Sequence, residues 1–521
     1  MKSILLLRPP ERYLPHRTRP MTYLPLGLLQ IASVLIEKGY QVEVIDGIMP
    51  EREVKEGGEN FFGITFEDMK HRLLNKDFDI VGISAQFTFQ WPNALKMAEL
   101  CKEINPDCKV VIGGAHVSVR YEDIIRSCDS VDVAVRAEGE YVMPQLVERI
   151  YNNSSFEGIP GIAYKTGDKV FVSDNIYIDD LDSLPFPAYH LIDMKKYFSL
   201  IKEYSSRTAY SFDGWERGVS LITSRGCPFN CVFCSIHIHM GKRWRAHSPE
   251  YVLKHIQLLM EEYGIKYLHF EDDNISFDSK RFARILDGII ENGWDIRWDT
   301  PNGVRADTFN EELLKKCKAS GCTHLIFGVE SGVQRVLNNV VRKGITLSGI
   351  EETMKLARKV GVDTRAFFMV GLPGETKEEI KATADYILEA MWKYECFGGL
   401  GMAVPLYGTQ LYDICEENDY FVREPAIDNL SAAFLNKGII KTPEFDPDLL
   451  DDVKKYVTRK QPLLLFMLFL RKLLRHPWLI WHVLKNMLVP DRRRLSSIYN
   501  RVLFFQHAIE FDLKKEGRGS E

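Results

Sequence analysis

Apolar residues recur along the first 150 positions in the alternating spacing of strands and helices. Four short apolar runs predict buried strands, at residues 4–7, 41–45, 80–84 and 110–112. Two stretches with apolar positions at helical spacing predict helices, at residues 27–37 and 93–104. Strands that alternate with helices at this pitch predict a doubly wound, Rossmann-like α/β domain, which we place at residues 1–150. Ligands on such a sheet bind at the carboxyl ends of the strands.

The same alternation returns from Gly218. Residues 249–263 predict an amphipathic helix with Ser248 as its N-cap, and residues 267–270 predict the strand after it. Further strands are expected at 296–298, 325–330 and 366–370. Crossovers between such strands are right-handed, so the strands are parallel and their following loops share one face. We assign residues 213–420 to this second α/β domain.

A linker arm is expected between the two domains, at residues 151–212. Residues 161–164 and 170–172 predict a small hairpin around Thr166-Gly167-Asp168. The sequence Leu184-Pro185-Phe186-Pro187-Ala188 fits neither a helix nor a central strand, and so marks a boundary.

The last hundred residues, 421–521, predict a helical C-terminal region. Its apolar run 462–470 is shorter than the roughly 20 residues that span a bilayer. Two interpretations remain open. The region either forms a helical cap on the preceding domain or lies in a membrane interface, with Trp478 and Trp481 at headgroup depth and Arg492-Arg493-Arg494 on anionic lipid.

Composition narrows the function classes. Hydrophobic residues make up 45% of the 521 residues, as in ordinary globular proteins, and the formal net charge of −5 does not point to bulk nucleic-acid binding, which usually needs a basic face. The ten cysteines are mostly scattered and no secretory signal is visible, so we expect a cytoplasmic protein in a reducing compartment.

Three cysteines depart from that scatter, because Cys227, Cys231 and Cys234 fall within eight residues as CxxxCxxC. Thiolates are soft ligands that select zinc, copper(I) or iron–sulfur clusters. One interpretation is a Cys3His zinc site completed by His237 or His239. The other is an iron–sulfur cluster with three protein thiolates, whose fourth iron stays open to a ligand.

The cysteine sequence, with the aromatic Phe233 before its third cysteine, resembles the signature CxxxCxΦC of the radical S-adenosylmethionine (SAM) superfamily. The resemblance implies a partial (β/α)6 TIM-like barrel in which the three cysteines hold a [4Fe–4S] cluster that binds SAM. It also implies SAM-contacting residues in the loops of the later motifs, namely Asp272, Asp273, Arg305, Glu330 and Ser331. In the motif Gly371-Leu372-Pro373-Gly374-Glu375-Thr376 we expect the last two residues to cap the next helix.

The first domain resembles the cobalamin-binding domain of the B12-dependent radical SAM family. The resemblance rests on a proline-rich first loop, an Asp after the second strand, a GGxH loop and a Glu-Gly-Glu element preceded by Ala137 where Gly is common. It implies cobalamin-contacting residues at Pro9, Pro10, Asp46, Gln86, Thr88, Gly113, Gly114 and Glu138. The DxHxxG motif is absent, so we expect no histidine on cobalt, and residues 86–89 are candidates for the lower cobalt face.

These resemblances together imply an enzyme with a [4Fe–4S] cluster, SAM and cobalamin, supplied with electrons by a flavodoxin- or ferredoxin-type donor. The expected reaction is C-methylation of an unactivated carbon in a hydrophobic, lipid-like or natural-product substrate. Two alternatives stay open: oxidative cyclisation or ring rearrangement without methyl transfer, and a non-catalytic iron–sulfur protein. If the membrane interpretation of the C-terminal region holds, the enzyme is peripheral at the inner face of the cytoplasmic membrane.

Overall fold

The computed structural model describes residues 3–13, 23–49, 52–56, 59–205, 217–422 and 438–477. The chain divides into two compact units. The first is built from residues up to Leu200 together with Ser235–Ala246, and the second from Ile201–Cys234 and from His247 onward. The first unit therefore takes in most of the stretch expected to form a linker.

The strands, numbered along the chain, have the following bounds: β1 Ser3–Arg8, β2 Glu11–Tyr13, β3 Gln41–Asp46, β4 Arg52–Glu56, β5 Glu59–Gly63, β6 Ile80–Ser84, β7 Lys109–Gly113, β8 Val133–Val135, β9 Ile162–Thr166, β10 Lys169–Val172, β11 Gly218–Leu221, β12 Ser224–Arg225, β13 Arg245–Ala246, β14 Tyr267–Phe270, β15 Arg297–Asp299, β16 Cys322–Glu330, β17 Thr364–Val370 and β18 Cys396–Met402.

The helices have these bounds: α1 Leu26–Glu37, α2 Phe66–Leu74, α3 Trp91–Ile104, α4 Ala115–Ser127, α5 Val142–Tyr151, α6 Met194–Ser205, α7 Ile236–His239, α8 Pro249–Tyr263, α9 Ser279–Glu291, α10 Glu311–Ala319, α11 Leu347–Val360, α12 Lys377–Tyr394, α13 Gln410–Glu417 and α14 Pro447–Arg475.

The first unit is a seven-stranded sheet with helices packed against it. Its order is β10-β9-β8-β7-β6-β1-β3, and the strands from β3 to β8 are parallel. In chain order these five parallel strands run 2-1-3-4-5, the doubly wound arrangement whose crevice opens between the first and third strands, here β1 and β6. The predicted α/β class and the parallel sheet are confirmed. The loops after β1 and β6 flank the crevice.

Two features of this unit lie outside the predicted strand–helix alternation. The hairpin expected inside the linker, β9 and β10, adds two antiparallel strands to the edge of the sheet beside β8. A separate three-stranded antiparallel sheet forms from β2, β5 and β4. The segment after β8 is therefore part of the sheet and not an independent arm.

The second unit places β11, β14, β15, β16, β17 and β18 side by side in sequential order, all parallel. Sequential parallel order with intervening helices is the topology of a β/α barrel, here with six strands. The back of the sheet is closed by an aromatic cluster of Phe270, Phe282 and Trp298, whose ring centroids lie 5.5–6.5 Å apart. Helix α8 begins at Pro249 with Ser248 as its N-cap, as predicted.

Helix α14 packs along α12, and Leu450, Val453, Val457 and Leu468 of α14 are buried. Pro462 lies inside this 29-residue helix without ending it. Among the described residues, no helix is both long enough and apolar enough to cross a bilayer. The expected membrane-facing residues Trp478, Trp481 and Arg492-Arg493-Arg494 lie outside the described residues.

Candidate active site

The three cysteines lie on one loop after β12. Gly226 opens this loop at a φ of +80°, a left-handed conformation that glycine adopts without strain. Val232, between the second and third cysteines, is buried and anchors the loop. Its N–H donates to the Val341 carbonyl at 3.1 Å, and its own carbonyl accepts from the Leu411 N–H at 2.9 Å. Phe233 is partly buried beside it.

None of the three cysteines is in a disulfide, and all three are partly exposed. Burial raises the pKa of Cys227 and Cys231; the positive charge of Arg305 opposes the rise in both, and that of Lys343 opposes it in Cys231. A metal that binds such thiols must displace their protons. Three thiols on one loop with two nearby cations are a donor set that fits an anionic iron–sulfur cluster.

Arg305, an expected SAM contact, is held by protein groups. Its Nε and Nη2 donate to the Asp307 carboxylate at 3.0 and 2.7 Å, and its Nη1 donates to the Lys343 carbonyl at 2.8 Å. The guanidinium carbon lies 3.6 Å from the centre of the Phe229 ring in the cysteine loop. Arg305 thus supports the loop by a cation–π contact and fixed hydrogen bonds.

The two adjacent carboxylates after β14 have different environments. Asp272 is buried, and its oxygens accept from the Thr223 N–H at 3.1 Å, the Thr223 hydroxyl at 2.8 Å and the Ser224 hydroxyl. Asp273 is partly exposed, and burial followed by the charge of Asp272 raises its pKa to about 7. Asp272 therefore orders the segment that leads into the cysteine loop, and Asp273 is the carboxyl that a ligand can reach.

A row of polar side chains crosses four neighbouring strands. The register aligns Ser220 with His269, His269 with Asp299, and Asp299 with His324. His269 Nδ1 lies 2.8 Å from Asp299 Oδ1, so it donates to this carboxylate, and the Tyr267 hydroxyl donates to Asp299 Oδ2 at 3.0 Å. Burial alone would lower the pKa of His269, but the Asp299 carboxylate outweighs it, and the pKa is raised.

Glu330 and Ser331 lie where β16 ends. Glu330 has a φ of +68°, which is rare for a residue with a side chain, and the register against β17 shifts between Gly328 and Glu330. Lys343 Nζ lies 2.9 Å from Glu330 Oε1, and both side chains are about nine-tenths buried. Ser331 is fully buried, and its hydroxyl contacts the Thr383 hydroxyl at 3.0 Å and accepts from the Val333 N–H at 3.1 Å.

The loop after β17 contains the two residues expected to cap a helix. Thr376 does so, because it is the N-cap of α12 and forms a capping box with Glu379. Glu375 does not. Its carboxylate accepts from the N–H groups of Gly371 and Leu372, both at 2.7 Å, and burial raises its pKa to about 7. Glu375 therefore fixes the turn itself, so the expectation that it caps the helix was wrong.

In the first unit, the loop after β7 packs its backbone directly against the loop after β6. Gly114, after β7, has a φ of +121°, and a Cβ there would lie 2.4 Å from the Ala85 carbonyl oxygen. Gly113, the last residue of β7, has ordinary space around it. The loops after β6 and β7 therefore touch through bare backbone at Gly114, at the carboxyl ends of these strands.

Residues 86–89 line the same edge of the sheet. Gln86 and Phe87 are exposed, and the Phe87 and Phe89 rings stack with centroids 5.5 Å apart. The Thr88 hydroxyl lies 3.2 Å from Nδ1 of His116, which is buried and has its pKa lowered to about 4 by that burial. Gln86 and Phe87 are therefore the side chains of this loop that are open to solvent.

The other residues expected to contact cobalamin have protein partners. Asp46 forms a buried ion pair with Arg8 and also accepts from the Tyr197 hydroxyl and the Ile48 N–H. Pro9 and Pro10 are buried, and their backbone packs against Gly47 so closely that a Cβ there would lie 2.5 Å from Pro10 N. These residues shape the loop after β1.

Glu138 is likewise part of a buried cluster. Glu138 Oε1 lies 2.8 Å from Arg245 Nη2, and Glu138 Oε2 accepts from the Ile178 N–H at 2.6 Å. Arg245 also donates to the carbonyls of Ile178 and Met240, both at 2.7 Å. Because Arg245 follows the cysteine loop in the chain, Glu138 holds the segment 235–246 on the first unit.

The donor groups present fit the implied cofactors. Three thiols on one loop can ligate a cluster, and Asp273 with the Glu330–Lys343 pair offers opposite charges to the ammonium and carboxylate of an amino acid. The loops after β6 and β7 lie at the carboxyl ends of the strands, where a doubly wound sheet binds its ligand. In the described part of the chain no three or more His, Cys, Asp or Glu side chains, the three cysteines included, are already grouped around a metal position.

Sequence reasoning missed Lys343 and the His269–Asp299 pair. Each depends on a partner on another strand or loop, which a linear motif does not display. The alignment of His269 with Asp299 could have been suspected only from their equivalent places near the ends of consecutive strands. Lys343 follows Arg342, a residue with a φ of +59°, and nothing in its sequence context signals burial.

Comparisons with known proteins agree with this architecture. The family model described as "Radical SAM superfamily" matches residues 221–387, and the model described as "B12 binding domain" matches residues 17–147. An "Uncharacterized methyltransferase" of Pyrococcus horikoshii is 36% identical over 418 residues, covering 80% of this chain and 84% of the relative. Cytidylyl-2-hydroxyethylphosphonate methyltransferase of Streptomyces wedmorensis is 31% identical over 479 residues, covering 85% and 86%.

Among solved structures, the cobalamin-dependent SAM radical enzyme OxsB, with aqua-cobalamin and SAM bound, superposes with a TM-score of 0.67. The match covers 99% of this chain and 75% of that one, at 16% identity. At that identity the likeness concerns the fold.

Proposed function

Because the chain belongs to the family of cobalamin-dependent radical SAM enzymes, we propose that it C-methylates an unactivated carbon of an apolar or lipid-like small molecule. Its cofactors are a [4Fe–4S] cluster, SAM and cobalamin. The observation that carries the proposal is one chain with three cysteines on one loop, none of them in a disulfide, a doubly wound sheet with bare backbone at Gly114, and more than 30% identity to two proteins named methyltransferases.

When bound, these cofactors supply a 5′-deoxyadenosyl radical, which removes a hydrogen atom from carbon, and a methyl group for that carbon. The chain's own residues position them. Cys227, Cys231 and Cys234 hold the cluster on a loop that Val232 pins on both sides. Arg305 and Lys343 place positive charge beside the thiols. Asp273 and Glu330 are carboxyls at the carboxyl ends of β14 and β16, with β15 between these strands, where they can orient the amino-acid part of SAM.

The polar partners of these side chains preset the geometry. Asp272 ties β14 to the Thr223–Ser224 segment before the cysteine loop, so the carboxyl of Asp273 cannot move independently of the thiols. In the first unit, Asp46, Pro9 and Pro10 shape one wall of the crevice, and Gln86, Thr88, Gly113 and Gly114 form the edge where cobalamin binds. A site held in this way loses little entropy when its ligands arrive.

An apolar substrate is supported by exposed hydrophobic side chains on the barrel strands and the loops that follow them. Ile222 after β11 is 36% exposed, Phe277 after β14 is 43% exposed, and Phe367 on β17 is 42% exposed. The Phe277 ring makes an edge contact with Phe229 of the cysteine loop, with centroids 6.1 Å apart. Large apolar side chains left open at a site bind apolar partners.

The test is an anaerobic turnover with the cofactors reconstituted and SAM carrying a labelled methyl group. Candidate acceptors are apolar or lipid-like molecules extracted from the source cells. The proposal predicts 5′-deoxyadenosine together with a product that gains the labelled methyl. Deoxyadenosine with an unlabelled product that is altered in mass would contradict methyl transfer and favour oxidative cyclisation or rearrangement. No deoxyadenosine at all would favour a non-catalytic iron–sulfur protein.

The electron donor and the localisation remain predictions from the sequence. A flavodoxin- or ferredoxin-type protein is expected to reduce the cluster. An enzyme for a lipid-like substrate would gain from peripheral contact with the inner face of the cytoplasmic membrane, because such substrates concentrate there.

A further inference from the structure

The C-terminal half of α14 has its cations on the side of the helix that faces its own unit. Lys472 is buried at 2% exposure, with its Nζ 3.7 Å from both Asp363 Oδ1 and Glu395 Oε2. Arg471 and Arg475 also reach Glu395 Oε1, at 3.0 and 3.2 Å. These charges, which would oppose insertion into an apolar phase, are neutralised at the protein surface beneath the helix.

The opposite side of this half-helix is apolar and open. Five large hydrophobic side chains are exposed there, by 66%, 51%, 40%, 43% and 81%, at Leu463, Phe466, Met467, Leu470 and Leu474. Their spacing of three and four residues places them on one face. No acidic residue occurs between positions 459 and 477. This half-helix buries Leu468 and Lys472, yet its outer face is apolar, whereas the outer face of an ordinary surface helix is polar.

The charge of the surrounding sequence says which partner suits this face. Residues 459–501 contain ten Lys and Arg against one acidic residue, Asp491, in a chain whose net charge is −5; Arg471, Lys472 and Arg475 are paired with the unit, which leaves seven. An apolar stripe in a basic stretch of sequence is the combination that binds anionic lipid surfaces, whereas a second copy of the same basic segment would repel it.

We propose that the outer face of α14, formed by Leu463, Phe466, Met467, Leu470 and Leu474, docks onto an anionic lipid bilayer as a peripheral anchor. The proposal gives a surface to the membrane contact expected of an enzyme with a lipid-like substrate. The anchor rests on the proposed function only for the benefit of membrane contact; the apolar face of α14 is present whatever the substrate is.

The test is flotation of the full-length holoenzyme with phosphatidylcholine vesicles that contain about 30% phosphatidylglycerol, against phosphatidylcholine alone. The double variant Leu463→Ser, Leu474→Ser removes the two most exposed side chains of the face. The matched control Leu74→Ser, Ile290→Ser removes exposed apolar side chains elsewhere, at 56% and 38% exposure. All proteins are first checked for equal melting temperature and equal SAM cleavage without substrate.

Wild type and control are expected to float with the anionic vesicles and to bind less at high salt, since both apolar burial and charge contribute. The α14 variant is expected to bind at least about tenfold more weakly. Equal binding by the α14 variant and the control, or no binding by wild type, would overturn the proposal. A wild-type dimer that the α14 variant abolishes would assign the face to a second copy instead. Vesicle binding needs no turnover, so these results stay separate from the methylation test.

Discussion

Lys343 Nζ lies 2.9 Å from Glu330 Oε1, and this buried ion pair acts electrostatically on the thiol of Cys231. It joins the end of β16, where Glu330 adopts a left-handed φ of +68°, to the segment after the π-helical turn Val336–Val340. A buried pair with one partner removed leaves an uncompensated charge, so the two side chains depend on each other.

The first prediction concerns that dependence. Lys343→Met is expected to lower the free energy of unfolding by about 3–5 kcal/mol, because Glu330 would remain buried without its cation. Chemical denaturation of the apoprotein measures this directly. SAM affinity of the reconstituted protein, measured by titration calorimetry, should fall as well, and Lys343→Arg should restore much of both.

The double variant Glu330→Gln, Lys343→Met is the control. It removes both charges and should recover most of the stability while SAM affinity stays low. If the double variant is no more stable than Lys343→Met, the ion pair is not what the single substitution disrupts.

A second prediction uses the two glycines after β7. Gly114→Ala places a Cβ 2.4 Å from the Ala85 carbonyl at a φ of +121°, so it should destabilise the first unit by about 3 kcal/mol and reduce cobalamin loading. Gly113→Ala is matched in chemistry but has its nearest neighbour at 3.7 Å, and it should bind cobalamin nearly as wild type. Visible absorbance of cobalamin per protein measures loading. An equal loss of cobalamin loading in the two variants would show that the close backbone contact at Gly114 does not shape the cobalamin site.

A third prediction concerns the pH dependence of the His269–Asp299 pair. Burial opposes both charges, but mutual attraction raises the pKa of His269 and lowers that of Asp299. The raised histidine adds stability below its unfolded pKa of about 6.5, which is lost as pH rises through the folded pKa. The lowered aspartate adds stability above about pH 3.9, which is lost as pH falls through its folded pKa.

Asp299→Asn should therefore cost more stability at pH 5.5 than at pH 8.5, by more than about 1 kcal/mol. Urea unfolding at the two pH values gives the comparison. Tyr267→Phe removes a hydrogen bond to Asp299 but keeps its charge, and should leave the pH dependence as in wild type. A pH-independent cost for Asp299→Asn would show that the pair is not ionised.

A fourth prediction concerns Ala137, which stands where the family it resembles often has glycine. Its φ is +57°, a conformation that costs an L-residue about 1–2 kcal/mol. Ala137→Gly should therefore stabilise the protein by about 0.5–1 kcal/mol, contrary to the usual effect of this exchange. Ala134→Gly, in the neighbouring strand β8, should destabilise it. Thermal melting of both variants decides, and a lower melting temperature for Ala137→Gly would refute the strain.

The regular elements could be predicted from the sequence because their signals are local. Helix α8 begins and ends as predicted, since Ser248 caps it and Gly264, at a φ of +65°, terminates it. Strand β14 likewise matches its apolar run. The hairpin β9–β10 was recognised as a hairpin, but its pairing with β8 depends on a partner more than 25 residues away, which local patterning does not encode.

Among the site residues too, local features could be predicted from the sequence, whereas partners distant in the chain could not. The cysteine loop is readable because all its ligands lie within eight positions. Asp272 and Asp273 are the same residue type in the sequence, and only the fold shows that Asp272 accepts hydrogen bonds from the hydroxyls of Thr223 and Ser224. Asp46 and Glu138 were expected to contact cobalamin. In the structure each forms a buried ion pair with an arginine distant in the chain, which no sequence motif predicts.

The central claim is that three thiolates hold a cluster with one iron open to SAM. The most direct measurement is the electron paramagnetic resonance spectrum of the anaerobically reconstituted, reduced protein before and after SAM is added. We predict a [4Fe–4S]⁺ signal that changes on SAM binding and is absent from a Cys227→Ala, Cys231→Ala, Cys234→Ala variant. A single bound zinc ion, or a cluster signal that SAM leaves unchanged, would contradict the account.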